Sequence, residues 1–170
     1  MTDICEVSDL LAIRPRVAIV LSIASRTLPA LEGEESNALA RAALDNGWKW
    51  EIGERVTARD LYSHIGPLGM AAGRARGDQQ RALCAIGTAL YYVTWQAFRQ
   101  ELRQKKKLSV PNDMADVDDE AIVETAKQAR QVGAYDLKWE NALVERALRD
   151  YSPDDPEALG PAIPRDGFAF

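Results

Sequence analysis

Apolar residues recur along this chain every three or four positions, the spacing that places side chains on one face of an α-helix. The first series begins after Pro15, a residue suited to the start of a helix, and comprises Val17, Val20, Leu21, Ala24, Leu28 and Leu31. Further series follow near residues 39–48, 61–68, 122–129 and 139–148, and the longest covers about residues 79–106. No segment alternates apolar and polar residues for long, so strands are not expected.

Residues that cap helix N-termini precede most of these series. Their side chains can accept hydrogen bonds from backbone N–H groups of the first turn, which have no acceptor within the helix. In chain order the candidates are Ser36 or Asn37, the pair Thr57 and Asp60 with the spacing of a capping box, Asp78, Asp118 and Asp136. Gly66, Pro67, Gly69 and Gly73 should break the third helix, and Gly133 should end the fifth.

The sequence therefore predicts an all-α fold, a compact bundle of about six helices. The longest helix should be central, with Leu90 and Trp95 facing inward. We place the helical domain at residues 1–151 and a Pro-rich C-terminal tail at residues 152–170, which holds four of the eight prolines. With 46% hydrophobic residues, a chain of 170 residues can bury a substantial core.

Hydropathy and the first residues argue against a membrane or secreted protein. The longest uncharged apolar stretch, Val17 to Ser25, is nine residues long, whereas a membrane span needs about 20. A secretory signal begins with positive charge, but Asp3, Glu6 and Asp9 stand there instead. We expect a cytoplasmic protein, with no membrane partner.

The residue types needed for catalysis or metal binding are scarce. His64 is the single histidine, and Asp60 lies four residues before it, so a satisfied, partly buried histidine is the preferred interpretation. Cys5 and Cys84 could form a disulfide, although reduced thiols are the safer interpretation, with Cys84 a small core residue. The acidic stretch from residue 113 to 124 does not fit a calcium loop in either register. We expect no catalytic residue, no metal and no cofactor.

Charge is distributed unevenly along the chain. Of the 26 acidic residues, 14 lie after residue 108, against six of the 21 basic residues, so this segment carries a net charge of −8. Such a segment attracts a basic protein and repels nucleic acid and anionic lipid. The predicted partner-binding residues are the carboxylates at the start of the fifth helix together with two aromatic anchors: Asp116, Asp118, Asp119, Glu120, Glu124, Trp48 and Trp50. The alternatives are that the carboxylates only begin a helix and that the tryptophans are core residues.

Three segments of the chain resemble a known family. They are SRTLPAL (Ser25 to Leu31), ALDNGWKWE (Ala43 to Glu51) and ALYYVTWQAF (Ala89 to Phe98). With them the chain resembles the all-helical immunity proteins of bacterial polymorphic toxin systems, and most of all the class numbered six, over residues 15–150. The resemblance implies a non-enzymatic protein that binds and neutralises a cognate toxin, often a nuclease or another effector.

The first functional hypothesis is therefore an immunity protein that occludes a basic toxin domain with its acidic surface and aromatic anchors. The alternative is a helical adaptor or regulatory domain that uses the same acidic face for another protein. A small hydrolase or metal-dependent enzyme is the third hypothesis, and the single histidine argues against it.

Overall fold

The computed structural model describes residue 4 and residues 7–104, 107–151 and 155–168. Within these ranges there is no β-strand. The helices are α1 (Val7–Leu10), α2 (Ile13–Ser25), α3 (Glu34–Glu51), α4 (Ala58–Tyr62), α5 (Ile65–Arg74), α6 (Gly77–Arg103), α7 (Glu120–Arg130) and α8 (Leu137–Tyr151). Six of them have ten residues or more, which confirms the predicted all-α bundle.

The innermost helix is α2, not the longest one. Every residue of α2 from Pro15 to Ala24 is buried, although the sequence predicted a single apolar stripe. A helix that is buried all round needs neighbouring elements on every side. For α2 these neighbours are α3, α6, α7 and α8. The long helix α6 packs against α2, α3, α4, α5 and α7, and its other side is partly exposed to solvent. It therefore lies along one side of the bundle and holds these helices together.

The orientation of α6 confirms one core prediction and corrects another. Leu90 is completely buried, as predicted. Trp95 is only partly buried and packs at the edge of the core, where the guanidinium of Arg99 lies 4.7 Å from its ring centroid. Tyr92, three residues earlier, is completely buried in its place. Apolar residues cover more than half of the α6 circumference, so periodicity alone could not decide whether Tyr92 or Trp95 faces the core.

The predicted helix boundaries hold where local hydrogen bonds define them. Thr57 and Asp60 form the predicted capping box, and Asp136 accepts hydrogen bonds from the N–H groups of residues 138 and 139, as expected for a cap. Other boundaries move. α3 begins at Glu34, with Gly33 at its N-cap, before the predicted caps. The third predicted helix is two short helices, and α6 ends at Arg103, whereas residues 105 and 106 of its predicted end lie outside the described residues.

The C-terminal tail packs against the helical domain. Its described residues form no helix, as predicted. The carbonyls of Ala158 and Leu159 accept hydrogen bonds from the N–H groups of Ile13 and Arg14, at 3.0 and 2.8 Å. These are first-turn N–H groups of α2, which have no acceptor within the helix. The tail thus caps the innermost helix, and Ile163 is completely buried.

Candidate partner-binding site

The five predicted carboxylates lie together along one groove. It has a volume of about 750 Å³ and is bordered by the segment before α7, by α7 itself and by the exposed side of α6. The lining carboxylates are Asp116, Asp118, Asp119, Glu120 and Glu124, and Lys127 is the single basic residue among the lining residues. We call this site the acidic groove.

Three of the carboxylates have no basic partner in the described part of the chain. Asp116, Asp118 and Glu120 are exposed and form no ion pair there. Asp118 accepts a hydrogen bond from the N–H group of Glu120 at 2.9 Å, so it also helps to begin α7. Glu124 differs, because it accepts hydrogen bonds from Gln128 at 2.7 Å and from Lys127 at 3.4 Å. The negative potential of the groove therefore comes mainly from Asp116, Asp118 and Glu120.

Asp119 has a structural role that its position in the sequence does not indicate. Its Oδ1 accepts hydrogen bonds from Arg16 at 2.9 Å and from the Tyr92 hydroxyl at 3.0 Å. The Arg16 side chain is only 1% exposed and also donates to the carbonyl of Pro156 at 2.9 Å. Burial, as the main cause, raises the pKa of Tyr92, so its hydroxyl stays protonated and donates. Asp119 thus joins α2 to α6, and its partner Arg16 extends the contact to the tail, so Asp119 differs from its exposed neighbours.

Two tyrosines add aromatic surface beside the carboxylates. Tyr91 lines the groove from α6, and its hydroxyl is 3.3 Å from Oδ2 of Asp113. The Tyr62 hydroxyl donates to the same carboxylate, at 3.0 Å from Oδ1. This hydrogen bond is the main cause that raises the pKa of Tyr62, whereas burial is the main cause that raises the pKa of Tyr91. Both rings are partly exposed.

The two predicted tryptophan anchors lie elsewhere and are buried. Trp48 is 4% exposed and Trp50 is 9% exposed, so both belong to the hydrophobic core. Trp48 borders a second cleft, and Trp50 borders a third cavity near Arg14. Trp48 continues the apolar stripe of α3, whereas Trp50, two residues later, lies on another side of the helix. Neither of them lines the acidic groove.

The residues considered for catalysis have ordinary structural surroundings. Nε2 of His64 is 2.8 Å from the side-chain nitrogen of Asn46, and burial, as the main cause, lowers the pKa of His64. Cys84 is partly buried, and burial raises its pKa. Cys5 lies outside the described residues, so the disulfide alternative stays a prediction. Among the described residues there is no cluster of three or more side chains that could hold a metal ion.

Comparison with known families identifies the helical core. Residues 15–132 match the family described as immunity protein Imm6, which confirms the resemblance seen in the sequence. The chain belongs to the Imm6 immunity protein family. This family indicates an immunity protein that binds a toxin, and such proteins are generally not enzymes. Comparisons with curated proteins and with solved structures gave no match.

The Imm6 match contains the whole acidic groove apart from Ile4, because it extends from α2 through α7. It does not include α8 or the tail, although the tail caps α2. No helix in the described ranges is long and apolar enough to cross a membrane.

Sequence reasoning missed three residues of this surface: Asp113, Tyr62 and Tyr91. Tyr91 and Tyr92 are adjacent, and the sequence does not say which one faces outward. Asp113 is the first residue of the acidic stretch already singled out, so its charge was a usable signal. The contact between Asp113 and Tyr62 joins residues 51 positions apart and could not be inferred from spacing.

Proposed function

We propose that this protein neutralises its cognate toxin in the cytoplasm by binding a basic surface of the toxin domain in the acidic groove. The inhibition is stoichiometric and non-catalytic, and it requires no cofactor. The main supporting observation is the row of exposed carboxylates on a concave surface, Asp116, Asp118 and Glu120, which have no basic partner in the described ranges. A nuclease is one class of toxin with the required basic cleft, because it must hold a polyanion.

Concentrated negative charge would act mainly on the rate of association. Opposite charges on two surfaces steer diffusional encounter and orient the partners before contact. Among the described residues, Lys127 is the only basic residue that lines the groove, so little of the groove's negative field is cancelled locally. The effect should weaken with salt, because charges in water are screened beyond about 8–10 Å at moderate ionic strength.

Aromatic surface beside the carboxylates would hold the complex after encounter. Tyrosine supplies a large contact area at a small cost in conformational entropy, and it is frequent among the residues that dominate binding energy. Tyr91 lines the groove and Tyr62 shares Asp113 with it, so both belong to the proposed interface. In this proposal the tyrosines replace the buried Trp48 and Trp50 as anchors.

The test compares charge reversals inside and outside the groove. The groove variant carries Asp116→Lys, Asp118→Lys and Glu120→Lys, and it keeps Asp119 because that carboxylate pairs with buried Arg16. Association with the toxin encoded by the neighbouring gene is measured over a salt series. At low salt we expect the groove variant to associate about tenfold or more slowly than wild type, and the difference should shrink as salt rises.

The matched control reverses three exposed carboxylates that do not line the acidic groove: Glu32, Glu54 and Glu145. It changes the net charge equally, so any general effect of charge appears in both variants. Survival of cells that express the toxin is scored in parallel. If the groove variant associates and protects as well as the control, the acidic groove is not the interface. If no toxin is encoded nearby and none binds, the result favours the adaptor hypothesis instead.

A further inference from the structure

A second cleft, away from the acidic groove, is rich in hydrogen-bond donors. It has a volume of about 340 Å³, and its lining includes Arg26, Trp48, Trp139, Arg165 and Phe168. We call it the Arg26 cleft. The guanidinium of Arg26 lies 4.4 Å from the ring centroid of Trp139, and that of Arg165 lies 6.0 Å from the ring centroid of Trp48. No carboxylate lines it among the residues that the structure describes, although the chain as a whole is acidic.

Two residues that line this cleft carry a donor without an acceptor among the described residues. Arg26 is exposed, stacks on Trp139 and forms no ion pair there. Trp48 is 4% exposed, and its buried Nε1 has no hydrogen-bond partner in the described ranges. A buried donor without an acceptor costs free energy, so a site that contains one is improved by a ligand that supplies an acceptor. Arg165 differs, because it pairs with Asp45.

We propose that the Arg26 cleft binds a carboxylate carried by an acidic side chain of a protein partner. One guanidinium without an ion pair matches a single negative charge, and its planar fork fits a carboxylate in two hydrogen bonds. A phosphate dianion would gain the same single cation while facing a chain of net charge −5. The inference goes beyond the proposed function, because it concerns a different surface and its test needs no toxin.

The size and walls of the cleft favour a peptide over a free small acid. With a volume of about 340 Å³, the cleft is larger than an acetate ion would fill. Trp139 and Phe168 form aromatic walls that could contact the apolar atoms beside the carboxylate. Phe168 is 4% exposed and belongs to the packed tail, so this wall is built into the fold.

The experiment follows the indole N–H resonances of the folded protein by NMR. The ligands are the blocked peptide acetyl-Ala-Asp-Leu-amide, its Asn counterpart, acetate and inorganic phosphate. Binding of the Asp peptide should shift the Trp48 indole N–H resonance downfield as it gains an acceptor. The resonance is assigned with Trp48→Phe, or by elimination with Trp50→Phe, Trp95→Phe and Trp139→Phe if that variant does not fold.

We expect the Asp peptide to bind at least tenfold more tightly than its Asn counterpart, acetate or phosphate. Arg26→Gln should weaken binding of the Asp peptide by about tenfold, whereas Arg41→Gln, which removes an exposed arginine outside the cleft, should not. An unchanged Trp48 resonance, or equal binding by the Arg26 and Arg41 variants, would overturn the proposal. Acetate as tight as the peptide would overturn the assignment to a protein partner, and tighter phosphate would overturn the charge argument.

Discussion

The buried carboxylate of Glu51 should make the protein less stable as pH rises, and Glu51→Gln should remove this dependence. Glu51 is completely buried at the end of α3, where its Oε1 accepts a hydrogen bond from the N–H group of Ile163 at 2.7 Å. Its Oε2 is buried and has no partner among the described residues. Burial raises the pKa of Glu51 from 4.5 to about 7, although the Ile163 hydrogen bond and the charge of Arg14 oppose the rise.

The size of the effect follows from the two pKa values of Glu51. Between pH 4.5 and about 7 the folded state holds a proton that the unfolded chain has lost, so the free energy of unfolding falls as pH rises. At about 1.4 kcal/mol for each pH unit, the loss approaches 3 kcal/mol by pH 8. Glutamine is neutral and keeps an oxygen acceptor for Ile163. We therefore expect Glu51→Gln to exceed wild type by about 1–3 kcal/mol at pH 8 and to match it near pH 5.

Urea unfolding of both proteins, followed by circular dichroism at several pH values between about 5 and 8, measures this difference. Burial lowers the pKa of His64, and whatever its titration contributes is present in both proteins and cancels in the comparison. Glu145→Gln, which removes an exposed carboxylate, is the matched control and should follow wild type at every pH. If the stability curves of Glu51→Gln and wild type run parallel, the raised pKa of Glu51 is refuted.

Three further changes test the packing. Asp119→Ala should lower the free energy of unfolding by about 3 kcal/mol, because the charge of buried Arg16 loses this partner. In the same urea titration, Asp116→Ala should change the free energy of unfolding by no more than about 0.5 kcal/mol. Equal effects of the two substitutions would contradict a structural role for Asp119. Trp95→Ala should lower the free energy of unfolding by about 2 kcal/mol, less than the roughly 3–5 kcal/mol lost when a fully buried aromatic residue is truncated. A larger loss would show that the Trp95 ring is fully buried. Deleting residues 152–170 should lower the melting temperature measured by calorimetry, because α2 loses its capping carbonyls; an unchanged value would mean that the tail contributes no stability.

Local features of the sequence determined the helices and the grouping of the acidic residues. The capping box of Thr57 and Asp60 and the cap at Asp136 depend on residues two or three positions apart, and both form as predicted. The carboxylates of the acidic groove lie close together in the sequence, within α7 or just before it, so any fold with that helix brings them together. The family resemblance also came from short segments, and the match over residues 15–132 confirmed it.

The tertiary structure decided which of these residues face solvent. Helical periodicity shows that a face is apolar, but it does not show whether a neighbour covers the opposite face as well. For this reason the complete burial of α2, and the choice of Tyr92 over Trp95 as an inward residue, were not predictable. The same reason explains why Trp48 and Trp50, which were predicted as partner anchors, are buried in the core.

Contacts between distant parts of the chain were also beyond the sequence. Arg16 pairs with Asp119, 103 positions later, and this pair turns one carboxylate of an acidic stretch into a structural residue. Ile163 donates to Glu51 across 112 positions, and the tail caps a helix that begins near the other end of the chain. Such pairs are chosen by the geometry of the packed bundle. Local spacing carries no information about them, because many arginines, carboxylates and carbonyls could have served equally well.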